Sequence, residues 1–127
     1  DMMDSPLIEV NILSSPDNKE YTRITLYKPY GFSSEAKLTI DTSHSSTNSD
    51  VAFRAPETAP VILDDNILFL NIFSDKAVLE VFVGDCQCIT TRVYPDNCES
   101  IGVFITSITK DAKLNNITSY LMKSIYN

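Results

Sequence analysis

The chain has 127 residues, of which 43% are hydrophobic and 21% are charged, the composition of an ordinary globular domain rather than of a disordered chain. Its formal net charge of -7 repels phosphate groups, and its ten Lys and Arg are scattered singly, so neither nucleic acid nor a membrane surface is expected as a partner. No apolar run approaches the roughly 20 residues that a transmembrane helix needs.

Short runs of β-branched and aromatic residues follow one another along the chain, separated by Pro, Asn, Asp, Ser or Gly. Such runs are typical of β-strands, and they occupy residues 7–13, 21–27, 36–40, 67–73, 78–83, 87–94, 101–108 and 118–126. No segment clearly favours the helical spacing of apolar residues, and residues 117–125 alternate equally well as a strand. We therefore predict one all-β domain over residues 1–127, a two-sheet antiparallel β-sandwich of the jelly-roll or concanavalin-like kind, with no significant helix.

Two segments interrupt the strand pattern and are predicted to be loops. Residues 41–50 are polar throughout, and residues 55–60 contain two prolines, which cannot donate backbone hydrogen bonds to a neighbouring strand. Because they separate the earlier strands from the later ones, we expect the chain to cross from one sheet to the other in this region.

Few residues are of a type that carries catalysis. His44 lies among serines, but nucleophilic catalysis needs a His hydrogen-bonded to its nucleophile and oriented by an acid, so a solvated loop histidine is the favoured interpretation. Asp75 and Glu80 could form the carboxylate pair of a glycosidase, yet a turn acid and a polar position on a sheet face are favoured. No catalytic residue is predicted.

The chain has three cysteines, Cys86, Cys88 and Cys98, and its one histidine, His44, lies far from them in the sequence. A structural zinc site usually needs four Cys and His ligands at characteristic spacings, which this set does not offer. The three cysteines allow at most one intrachain disulfide, and buried free thiols that pack as small apolar residues are the default expectation. We predict no metal and no cofactor.

The sequence LFLNIFSDKAVLEVFVGDCQCITTRVYP at residues 68–95 resembles the signature hairpin of the C-terminal β-sandwich of glycoside hydrolase family 32, the invertase, levanase and inulinase type of β-fructosidase. LTIDTSHSSTNSDVAFR at residues 38–54 is similar to that family's strand and Ser-rich loop. TSYLMKSIY at residues 118–126 is similar to its closing strand, although Tyr120 stands where a tryptophan is usual.

The resemblance implies an accessory domain rather than an enzyme. The family's fructosidase site lies on an N-terminal five-bladed propeller and uses Trp-x-Asn-Asp-Pro, Arg-Asp-Pro and Glu-Cys motifs. This chain has no tryptophan and neither Asp-Pro motif, and Cys98-Glu99 has the reverse order. The expected partner is therefore the catalytic propeller of the same polypeptide, with Glu80, Arg92 and Tyr94 as candidates for the interface between the domains.

Two further partners remain open at this level. The module could associate weakly with a second copy, and it could bind fructan through exposed aromatic rings, as carbohydrate-binding modules do.

Overall fold

The computed structural model describes residues 7–28, 35–52, 54–63, 65, 67–85, 87–108 and 113–124. Within these ranges the chain forms eight strands and no helix. The strands are β1 (Leu7–Ser14), β2 (Thr22–Tyr27), β3 (Glu35–Asp41), β4 (Glu57–Ile62), β5 (Leu70–Asp75), β6 (Val78–Val83), β7 (Gln87–Arg92) and β8 (Gly102–Ser107). Nowhere in these ranges is there a helix long and apolar enough to cross a membrane.

The strands form two antiparallel sheets. The large sheet has the order β4-β3-β2-β1-β8, and the small sheet has the order β5-β6-β7. The predicted all-β, two-sheet antiparallel sandwich is confirmed. The predicted crossing point is wrong, because the segment between β3 and β4 stays within the large sheet. The chain instead crosses to the small sheet between Ile62 and Leu70 and returns between Arg92 and Gly102.

The core lies between the two sheets and follows from the alternation of apolar residues along each strand. Because successive side chains of a strand point to opposite faces, buried residues alternate with more exposed ones in β1, β2, β3, β6 and β7. Each sheet thus has an inner face that lines the core and an outer face that points away from it. The buried apolar residues are Val10, Ile12, Ile24, Leu26, Ala36, Leu38, Ile40, Val61, Leu63, Leu79, Val81, Val83, Ile89 and Val93.

Strand β4 corrects the prediction of a loop at residues 55–60. Pro60 lies inside β4, opposite Lys37 of β3. A proline is tolerated there because β4 is the edge strand of the large sheet, so one side of its backbone needs no hydrogen bond to a neighbouring strand.

The predicted strand at residues 118–126 is also wrong over the residues that the structure describes. Residues 113–124 are exposed and have no regular secondary structure, and residues 125–127 lie outside the described ranges. A strand needs a neighbour to satisfy its backbone, so an alternating pattern by itself does not produce one.

Candidate functional site

The single histidine is held as part of a loop contact. The His44 ring stacks on the Tyr21 ring, with centroids 5.0 Å apart and planes 6° from parallel. Its Nδ1 lies 3.0 Å from the Oγ of its neighbour Ser43, and its carbonyl accepts a hydrogen bond of 2.7 Å from the Tyr21 N–H. The Arg23 guanidinium lies 5.0 Å from the centroid of the same tyrosine ring. This geometry anchors the Ser-rich loop to the start of β2.

A buried carboxylate that sequence analysis did not single out joins three loops. Glu20, between β1 and β2, is 0% exposed. Its Oε2 accepts hydrogen bonds from the Thr47 N–H at 2.8 Å, the Thr47 hydroxyl at 3.2 Å and the Asp96 N–H at 2.9 Å. Its Oε1 accepts from the Asn97 N–H at 3.1 Å and the Ser100 hydroxyl at 2.5 Å. We call this arrangement the Glu20 junction.

The Glu20 junction is built for a charged carboxylate. Burial alone would raise the pKa of Glu20, but hydrogen bonds from Ser100 and from the backbone of Asp96, Thr47 and Asn97 outweigh it and hold the pKa below its ordinary value. Both carboxylate oxygens are already occupied by loop donors and are shielded from solvent. This arrangement suits a structural joint and leaves no oxygen positioned for proton transfer to a substrate.

The three interface candidates lie on one surface. In β6, in β7 and at the residue after β7, alternate residues are buried, so the residues between them point outward; the buried ones are Leu79, Val81, Val83, Ile89, Thr91 and Val93. Glu80 is opposite Thr90 on this outer face, and Arg92 is opposite Val78. Tyr94 continues the alternation just beyond β7 and is exposed. The structure therefore brings Glu80, Arg92 and Tyr94 to the outer face of the small sheet.

The same face carries exposed aromatic and aliphatic groups. Phe73 of β5 and Phe82 of β6 contact edge to face, with ring centroids 5.7 Å apart and planes at 89°. Phe73 and Val78 are both exposed, at 44% and 39%. Near the β6–β7 turn this face has a shallow, open pocket of about 490 Å³, here called the hollow. It is lined by Asn71, Phe73, Phe82, Gly84, Asp85, Gln87 and Cys88. An apolar centre with polar groups around it is the usual composition of a docking surface.

The positions of Asp75 and Glu80 follow from the β5–β6 hairpin, in which the two acids are not cross-strand partners. Asp75 ends β5 at the turn and pairs with Val78, whereas Glu80 lies in mid-strand between Phe73 and Thr90. This geometry matches the predicted turn acid and polar position on a sheet face.

The cysteines depart from the prediction of buried thiols. Cys88 and Cys98 are free and exposed: Cys88 lies on the outer face opposite Phe82, and Cys98 lies in the loop that the Glu20 junction holds. Cys86 falls outside the described residues. Across the described ranges, no three or more His, Cys, Asp or Glu residues are grouped so that they could hold a metal ion.

The two sheets, with an apolar outer face on the smaller one, define the chain as a β-sandwich module. A family model described as "Glycosyl hydrolases family 32 C terminal" matches residues 6–120. The chain therefore belongs to this family of C-terminal domains of family 32 glycoside hydrolases, as its sequence resemblance implied. No curated protein matches the chain.

Proposed function

We propose that the chain is a non-catalytic accessory domain that packs on the catalytic propeller of a β-fructosidase and stabilises it. The membership of the family supports the link to a glycoside hydrolase. The outer face of the small sheet, with Phe73, Val78 and Phe82 exposed or half-buried beside Glu80 and Arg92, is the surface that supports docking.

The outer face of the large sheet offers a contrast that favours this choice of surface. At its centre Arg23 bonds to Asn11 at 3.1 Å and pairs with Glu9 at 3.4 Å, and the hydroxyls of Thr39 and Thr58 lie 3.0 Å apart. These polar groups already form hydrogen bonds or an ion pair with one another across neighbouring strands. Covering these groups with a second domain would bury polar atoms, although Tyr27, Ile62 and Phe104 are exposed elsewhere on the same face. Covering Phe73 and Phe82 removes apolar surface from water.

Two of the thiols make this proposal testable by labelling. In a Cys86→Ser background, the alkylation rates of Cys88 and Cys98 are measured in the isolated chain and in the intact enzyme that carries this module. Cys88 lies on the proposed docking face, so we expect its rate to fall by about tenfold or more in the intact enzyme, because labelling follows the accessibility of the thiol. Cys98 is the matched control, and its rate is expected to change by less than about twofold.

Equal protection of both thiols would indicate a general effect of the larger enzyme rather than docking through this face. Unchanged labelling of Cys88 would contradict the proposal. A second measurement uses Arg92→Ala, which is expected to lower the melting temperature of the intact enzyme but not that of the isolated chain. Lys37→Ala, on β3 in the large sheet, is its control.

Activity provides an independent test of the non-catalytic role. The isolated chain is expected to release no fructose from sucrose, levan or inulin above a buffer control, because the family's propeller motifs are missing from its sequence. Turnover that survives repeated purification and is lost on changing Asp75 or Glu80 would contradict this role.

Fructan binding is the second candidate function, and the hollow beside Phe73 and Phe82 is the observation that favours it. Its aromatic rings with nearby Asn71 and Asp85 combine the apolar and hydrogen-bonding groups that sugar recognition uses. Retention of the isolated chain on immobilised inulin or levan, lost in Phe73→Ala and kept in Phe104→Ala of β8, would support it over domain docking.

A further inference from the structure

Strand β8 is an edge of the large sheet that lacks the features by which edge strands usually avoid pairing with another chain. It pairs with β1 on one side, and within the described ranges no strand pairs with its other side. Prolines and charged residues are common means of blocking an edge. The other three edge strands have them: β4 contains Pro60, β5 ends at Asp75 and β7 ends at Arg92. The sequence of β8, GVFITS, has neither.

The side chains of β8 are apolar and exposed on both of its faces. Ile105 pairs with the buried Val10 and so points to the inner face, yet it is 44% exposed. Val103, on the same face, is 57% exposed, and Phe104, on the outer face, is 49% exposed. Pairing with another apolar strand would therefore remove apolar surface from water on both sides of the sheet.

The backbone groups on the free edge of β8 belong to alternate residues. The Ile108 N–H donates to the Leu7 carbonyl at 3.1 Å, so Ile108 is one of the residues that bond to β1. In an antiparallel pair such residues alternate along the strand, so Thr106 and Phe104 also bond to β1. The N–H and C=O of Ile105, between them, point away from β1. A further strand can therefore form hydrogen bonds with Ile105.

We propose that β8 pairs antiparallel with β8 of a second copy, across a two-fold axis at Ile105, and joins two five-stranded sheets into one sheet of ten strands. In this register Ile105 lies opposite Ile105 of the second copy, and Phe104 lies opposite Thr106 of the second copy. Ile108 lies opposite Gly102 of the second copy, which leaves room for the larger side chain. Aromatic and β-branched residues are favourable cross-strand neighbours. The two-fold pairing is closed, so it produces a dimer and not a fibre.

Charge and symmetry favour a second copy as the occupant of this edge. Two copies with a net charge of -7 repel each other over most of their surface. Residues 101–108 contain no charged residue, so two copies can meet there without placing like charges opposite each other. The six residues of β8 are fewer than the roughly 20 to 30 residues a side of a stable interface. We therefore expect a weak dimer, with a Kd of about 10 to 100 μM.

This dimer is separate from the domain docking proposed above. Docking uses the outer face of the small sheet, whereas β8 is an edge of the large sheet. The small sheet approaches the large one at β4, which is the opposite edge. Self-association through β8 therefore leaves the docking face open, and a failure of either proposal does not affect the other.

Paired charge variants test the two-fold axis at Ile105. Ile105→Lys and Ile105→Glu each place two like charges opposite each other in the dimer, so each is expected to weaken self-association by at least about tenfold. Mixed in equal amounts, the two variants place a lysine opposite a glutamate, and dimers should return. Ile62→Lys puts the same charge on the edge strand β4 of the same sheet, and it should change the Kd by less than about twofold. Sedimentation over a concentration series measures all four samples, and circular dichroism checks that each variant is folded.

Hydrogen exchange on the unaltered chain tests the same register without any substitution. The Ile105 amide is expected to exchange at least about fivefold more slowly at high protein concentration than at low, because it bonds to a second copy only in the dimer. The amides of Thr106 and Ile108 bond to β1 in either state, so they are internal controls and should not respond to concentration.

Three outcomes would overturn the proposal. A chain that stays monomeric, with an Ile105 amide that exchanges rapidly at every concentration, would show that the edge of β8 remains free. Slow exchange of this amide at every concentration would show that the same chain covers the edge. Association that neither charge variant weakens, or that folded variants do not recover on mixing, would show that the copies meet at another surface or in another register.

Discussion

Glu20 shows how hydrogen bonds can offset the cost of burying a single charged side chain. A carboxylate in an apolar setting is strongly destabilising, but this one accepts five hydrogen bonds from Thr47, Asp96, Asn97 and Ser100. Sequence analysis missed it because the donors are 27 to 80 residues away, and three of the five are backbone N–H groups that any residue type supplies. No local pattern around Pro16-Asp17-Asn18-Lys19-Glu20 indicates burial.

Replacing Glu20 by Gln tests the junction with almost no change of shape. One acceptor oxygen becomes an NH₂ donor that faces other donors, so hydrogen bonds are lost whose donors are buried, as at Ser100, or partly buried, as at Asn97. We expect the free energy of unfolding to fall by about 2 to 4 kcal/mol, measured by urea denaturation. Glu9→Gln, which removes only the partly exposed ion pair with Arg23, should cost less than about 1 kcal/mol. Equal losses in the two variants would contradict the role of the junction.

The lowered pKa of Glu20 predicts the direction of the pH dependence. The folded chain binds the Glu20 proton less tightly than the unfolded chain, whose glutamate pKa is about the ordinary 4.5. The stabilisation is therefore complete above pH 4.5 and is lost as the pH falls through the lower folded-state pKa. We expect a melting-temperature profile that drops below pH 4.5 in the parent chain and is flatter in Glu20→Gln. Parallel profiles would contradict this assignment.

Among the strands, period-two alternation of apolar residues was a reliable guide. It located β1, β2, β3, β6 and β7 to within about two residues, because each of these strands buries one face against the opposite sheet. It also located β8, although no residue of β8 is buried. Sequence analysis failed at β4, because the two prolines of residues 55–60 indicated a loop, whereas an edge strand tolerates the proline that lies in it. It also failed at residues 118–124, where apolar residues alternate without a partner strand. Whether a strand lies at an edge depends on the topology, which the local sequence does not contain.

Glu80, Arg92 and Tyr94 were proposed as interface candidates from the resemblance. Alternation states that residues share a face but not which face is buried, so the sequence did not assign them to one. The structure assigns that face because Leu79, Val81 and Val93 are fully buried, so their neighbours must point outward. The polar pairs on the outer face of the large sheet, such as Arg23 with Asn11 and Glu9, required side-chain geometry, and no sequence pattern showed them.

Two glycines, one in a turn and one at the start of a strand, are expected to destabilise the chain for different reasons when changed to Ala. Gly84, in the β6–β7 turn, has a φ of +54° and open space around an added Cβ, so Gly84→Ala should cost about 1 kcal/mol through backbone strain alone. Gly102 begins β8, and an added Cβ would lie 2.9 Å from the Ser14 carbonyl oxygen. Gly102→Ala should therefore cost more, about 1 to 3 kcal/mol, by forcing β8 away from β1. Thermal unfolding of both variants checks the order, and the reverse order would contradict it.

At the scale of the whole molecule, stability is expected to come from packing between the sheets rather than from a metal or a cross-link. The free thiols Cys88 and Cys98 lie on exposed surfaces outside the core. We predict that elemental analysis finds no stoichiometric zinc and that a chelator leaves the melting temperature unchanged. Both thiols should also react with a thiol reagent in the native state. A fall of many degrees on chelation would show that the cysteines bind metal.

The long sequence separations at the Glu20 junction also decide when it can form. Its hydrogen bonds to Asp96, Asn97 and Ser100 close chain segments of 76 to 80 residues. Because closing such long segments costs conformational entropy, we expect these bonds to form late in folding, after the transition state. An interaction absent from the folding transition state opposes unfolding without accelerating folding. Loss of the Glu20 carboxylate should thus leave the refolding rate nearly constant and shorten the lifetime of the native state, which makes this residue a determinant of how long the domain resists proteolysis or heat.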